Sequence, residues 1–115
     1  MSPIDATRAI PVESPDDLDG WLGANGAAAS EVVVSLFKRT SGRQTVTLTA
    51  LQEMALCHGW VDTQTRRIDD DRYAIRFVPR RPRSNWSEKN REMARRLLAG
   101  GRIRPAGRAT LPPDL

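Results

Sequence analysis

The stretch Trp60–Val78, WVDTQTRRIDDDRYAIRFV, decides the fold. It holds two runs rich in β-branched and aromatic residues, 60–68 and 72–78, joined by Asp69-Asp70-Asp71. Aspartates favour turns because their short side chains bond nearby backbone, so the stretch predicts an antiparallel hairpin. In the second run Tyr73, Ile75 and Phe77 alternate with Arg72, Ala74 and Arg76, the pattern of a half-solvated strand. Pro79 has no N–H to donate and ends it.

Working outward, Glu31–Lys38 (EVVVSLFK) is apolar without alternation and reads as a third strand, covered on much of both faces. Three helices surround these strands. Ser14 can cap the first, with Pro15 at its first position and Asp16 and Asp17 at the positive end of the dipole. Leu18, Trp21 and Leu22 give it one apolar face, and Asn25-Gly26 stops it. Thr49 and Gln52 have capping-box spacing for a second, which carries Leu51, Met54, Ala55 and His58 on one face and ends at Gly59. Ser87 can cap a third, with Met93, Ala94, Leu97 and Leu98 inward and Gly100-Gly101 at its end.

The order α-β-α-β-β-α predicts a small two-layer α+β domain. Its expected sheet has three strands, is largely antiparallel, and packs the helices on one face. The domain should span 14–108, after an extended arm (1–13) and before a short proline-containing tail (109–115). Leu18, Trp21, Leu22, Val32, Val34, Leu36, Leu51, Met54, Ala55, Phe77, Met93 and Leu97 form the expected core.

Composition narrows the function. At 115 residues one domain is expected, and no apolar run approaches the ~20 residues of a bilayer span. The start lacks a basic and then apolar signal pattern, so a cytoplasmic protein without membrane insertion is expected. One cysteine excludes an internal disulfide, and one histidine beside it leaves too few ligands for structural zinc, so neither metal nor cofactor is expected. The net charge of +4 is uneven: residues 1–75 carry −4 and residues 76–108 carry +9. Such a block suits an anionic small molecule, an acidic protein surface or nucleic acid. The plain alternative is a solvated arginine face.

Within that block, Pro79-Arg80-Arg81-Pro82-Arg83-Ser84-Asn85-Trp86-Ser87 sets three guanidiniums before a tryptophan and a helix start. Guanidinium forks match phosphate and carboxylate, and free amides at a helix start add to such a site. Trp60, Asp62, Gln64 and Arg66 alternate along a strand and should share a face. The candidate ligand site is therefore Trp60, Asp62, Arg80, Arg81, Ser84, Trp86 and Ser87. The alternative is a rigid connector whose arginines pair with Asp62 or the aspartate turn. Cys57 and His58 are adjacent, so on a helix they point ~100° apart and make a poor catalytic dyad.

Several segments also resemble a known family. Leu56-Cys57-His58-Gly59-Trp60-Val61-Asp62, Arg67-Ile68-Asp69, Phe77-Val78-Pro79-Arg80-Arg81, Ser84-Asn85-Trp86-Ser87 and Arg96–Gly107 are similar, in order, to motifs of the YdeI/OmpD-associated (OmdA-domain) family. That resemblance implies a bacterial protein linked to bacteriocin protection, outer-membrane-protein association and envelope stress. It supplies no catalytic residue. The expected function is a non-enzymatic binding or stress-associated module with an Arg/Trp anion site. The alternatives are a basic nucleic-acid binder, or a small enzyme with Asp62 as acid/base and Arg80 or Arg81 as anion clamp. Oligomeric state is left open by the sequence.

Overall fold

The computed structural model describes residues 3–81 and 84–115. The chain runs through β1 (Ile10–Pro11), α1 (Pro15–Asn25), β2 (Val32–Phe37), α2 (Leu48–Cys57), β3 (Trp60–Arg67), β4 (Arg72–Pro79), α3 (Glu88–Ala99) and α4 (Pro105–Arg108). Short 3-10 turns occupy Ala6–Arg8 and Arg39–Ser41. The expected hairpin is present: β3 and β4 pair antiparallel around the aspartate turn. Asp69 accepts hydrogen bonds from the N–H groups of Asp71 and Arg72 at 2.9 and 2.8 Å, which spends its carboxylate on the turn.

The sheet has four strands, in the order β1-β2-β4-β3, where three were expected. It is mixed, because β1 runs parallel to β2 while the other pairs are antiparallel. The extra strand comes from the segment read as an arm. Two residues ending in proline carry no period that would mark a strand, and at a sheet edge proline's missing N–H is tolerated. Leu18, Leu22, Leu51 and Ala55 from α1 and α2 pack on Val34, Leu36, Ile75 and Phe77, which makes the main core. Trp21 and Met54, expected inside, are only partly buried against it.

The second sheet face is covered as well. Ile4 packs on Val33 and Ala74, and the arm is tied down by guanidiniums. Arg66 donates to the Ile4 carbonyl at 2.7 Å, and Arg76 to the Pro3 carbonyl at 3.2 Å. Hence β4 is not half solvated. Ala74 and Arg76 are buried, because the strand is internal and the arm lies over its polar side.

Two further expectations change. α3 does not lie on the sheet with the other helices. Met93, Ala94 and Leu97 pack with Leu56, Cys57 and Ile103 in a cluster that contains no strand residue, so α3 forms a layer outside α2. α2 begins at Leu48 and not after Thr49: the Thr47 hydroxyl accepts from the Ala50 N–H at 3.1 Å. Thr47 and Thr49 are both competent caps, and the earlier one brings Leu48 against the core. At the other end Gly59 turns the chain into β3 with φ +80, where a Cβ would also come within 2.8 Å of Thr110. Gly107 lets α4 dock on the end of α2, since a Cβ there would lie 2.2 Å from the Cys57 carbonyl oxygen.

Candidate functional site

The seven candidate residues do not form one concavity. Trp60 is 3% exposed and belongs to the core, edge-on to Trp21 with ring centroids 6.1 Å apart at 85°. Asp62 follows on the helix side of β3, where its Oδ2 accepts from Gln52 Nε2 at 3.2 Å. The expected four-residue face stops there. The pairing shifts between Asp62 and Gln64, so Asp62 sits opposite Phe77 and Gln64 opposite Arg76. A bulge of this kind turns the following side chains over. Gln64 therefore accepts from Arg76 Nη1 at 2.8 Å, and Arg66 reaches the arm, both on the opposite face from Trp60.

Arg80 and Trp86 do come together where β4 leaves the sheet, and Ser87 follows at the start of α3. The Arg80 N–H donates to the Gly59 carbonyl at 2.8 Å, which fixes the corner against the start of β3. Its guanidinium lies over the Trp86 ring, 3.9 Å from the centroid. Trp86 in turn packs on the α3 cluster. Ser87 caps α3, its hydroxyl accepting from the Asn90 N–H at 3.1 Å. Burial pushes the Arg80 guanidinium below its usual range, and the charge of Asp62 opposes that shift. Among the described residues Arg80 makes no ion pair, and its Nε is buried without a hydrogen-bond partner. Arg81 is exposed, and its carbonyl accepts from the Ser84 N–H at 3.2 Å. Arg83, the third arginine of the stretch, lies outside the described residues.

Several other arginines of the basic block are paired with acids, most of them from distant segments. Arg91 pairs with Asp114 at 3.1 Å, Arg95 with Glu92 at 2.8 Å and Arg96 with Glu53 at 2.6 Å. Arg104 holds both oxygens of Asp19, at 2.9 and 3.0 Å. His58 joins the same carboxylate through Nε2 at 2.7 Å. These two partners, His58 first, hold the Asp19 carboxyl below its ordinary range. This Asp19–His58–Arg104 triad was missed in the sequence. Its members are 39 and 85 residues from Asp19, and no local spacing marks such a link. Cys57 is buried beside it, and burial pushes its thiol up.

Among the described residues no group of three or more His, Cys, Asp or Glu could hold a metal ion. None of their helices is long and apolar enough to cross a membrane. The sequence pattern that defines a domain of unknown function (DUF8412) matches residues 10–110. No curated protein and no solved structure matches the chain. The match corrects the resemblance to the YdeI/OmpD-associated family, and the envelope role that it implied falls with it. The segments behind that resemblance are short and built from residues that many folds need. Gly59 is a helix stop, Trp60 a core residue and Ser87 a cap.

Proposed function

We propose that this chain, which belongs to the family of the domain of unknown function DUF8412, is a binding module for a small oxyanion at the Arg80–Trp86 corner. One observation carries the reading: among the described residues Arg80 is a half-buried guanidinium with an aromatic partner and no carboxylate hydrogen-bonded to it. A cation–π contact holds the charge in place and leaves the N–H fork uncommitted. A fork of this kind matches the paired oxygens of phosphate or carboxylate. The first-turn amides of α3 that Ser87 does not cap add positive potential beside it.

A nucleic-acid surface is the weaker reading. Phosphate tracking needs several free cations in a row, and Arg91, Arg95, Arg96 and Arg104 are already paired. Thermal melting with phosphate and citrate separates the two readings. The wild type and Arg95→Gln should gain the same anion-dependent rise in Tm, and Arg80→Gln should lose it. If instead both variants lose affinity equally for a short oligonucleotide, with a steep salt dependence, the basic surface is diffuse and the corner is not a site.

A further inference from the structure

A separate cleft of about 430 Å³ lies between α1 and the turn that joins α3 to α4. Asp16 and Asp19 line it from α1, Arg102 and Arg104 from the turn, and Met54 and Ile103 add apolar surface. Its volume falls in the usual range for small-molecule sites. Acids thus line one wall and bases the other, with apolar surface between them.

The four charges are not equivalent. Asp19 and Arg104 neutralise each other, with Arg104 Nη2 reaching both carboxylate oxygens, and His58 Nε2 shares Oδ1. The Arg104 N–H also donates to the Cys57 carbonyl at 2.9 Å, so that wall is built into the fold. Asp16 and Arg102 remain. Asp16 has no ion pair or side-chain hydrogen bond among the described residues. Arg102 approaches Glu53 only to 3.6 Å, and the other oxygen of Glu53 takes Arg96 at 2.6 Å. One anion and one cation, both with unused capacity, therefore face a single space.

We infer that this cleft binds a small aliphatic zwitterion, an α-amino acid or a dipeptide. Its ammonium would pair with Asp16, its carboxylate with Arg102, and its side chain would cover Met54 and Ile103. An anion alone would leave Asp16 unanswered, and a cation alone would leave Arg102.

The test is titration of the full chain with leucine and Leu-Leu, followed by backbone amide NMR and calorimetry. One of the two should bind saturably and shift the amides of Gly101 and Arg102. Its N-acetylated and C-amidated derivatives should each bind about tenfold more weakly, the loss expected for one charge-assisted contact. Asp16→Asn and Arg102→Gln should weaken it to a similar degree with only a small change in Tm, because both side chains are exposed. Arg80→Gln should leave it unaffected, so failure here is distinct from failure of the oxyanion corner. Absence of saturable shifts through the millimolar range would overturn the inference. So would equal binding of the N-acetylated form, which would reduce the cleft to an anion contact.

Discussion

Along α3 and the turn after it the arginines face carboxylates; at the corner where β4 ends, Arg80 faces a tryptophan. The two regions are next to each other in the chain, and both are basic in sequence. They differ in what the fold brings to them. Acids from α1, α2 and the C-terminal segment reach Arg104, Arg96 and Arg91, whereas no described carboxylate pairs with Arg80. A run of positive charge is thus divided by tertiary structure into a self-neutralised surface and one half-buried cation. Only at the second is the guanidinium without a carboxylate and half-buried, although Arg102, held to Glu53 only at 3.6 Å, keeps some capacity on the turn.

The strongest perturbation should come from a third setting, the buried arginine. Arg76 is 4% exposed, donates to Gln64 and to the Pro3 carbonyl, and lies 3.4 Å from Glu31. Arg76→Ala should cost on the order of 3 kcal/mol in denaturant unfolding, because it leaves acceptors unpaired and opens a void under the arm. A loss no larger than that of a surface variant would mean that the arm is not held by this residue.

Next comes the Asp19–Arg104 pair. Arg104→Ala should destabilise by on the order of 1 kcal/mol, since the arginine is half exposed and water screens the attraction. The pair also has a predictable pH dependence. Asp19's folded pKa lies below its ordinary value, so its contribution is full above the unfolded pKa and is lost as pH falls through the folded one. The stability gap between wild type and Asp19→Asn should therefore close as pH drops below ~4. A gap that persists in acid would assign the effect to packing.

The smallest effect should be that of Arg95. It pairs with Glu88 and Glu92 on the same helix, at the exposed surface. Arg95→Gln should leave both Tm and anion binding unchanged. A clear loss of either would blur the division between the two regions.

Much of the frame was legible in the sequence because it rests on local chemistry. Ser14 and Ser87 start helices, Gly59 and Gly101 follow their ends, and the aspartate turn joins β3 to β4. What escaped is non-local. Nothing in Asp62-Thr63-Gln64 announces the bulge that sends Gln64 and Arg66 to the opposite face. Ile10-Pro11 becomes a strand only because β2 offers an open edge. Alternation along β3 puts Trp60 on one face with Asp62 but does not tell how deeply: Trp60 is buried in the core against Trp21. The Arg80–Trp86 corner was partly legible, since both residues lie in one proline-bounded stretch. That Arg80 would be half-buried without a carboxylate was not, because the acids that reach Arg91, Arg96 and Arg104 come from distant segments.

The central claim is that one arginine, and not the basic face as a whole, takes an oxyanion. The most direct measurement follows the arginine Nε–H and tryptophan Nε1–H resonances by NMR while phosphate or citrate is added. The Arg80 and Trp86 signals should move together and saturate, while those of Arg91, Arg95, Arg96 and Arg104 stay fixed. Shifts spread across the α3 arginines without saturation, or a stationary Arg80 signal, would contradict the account.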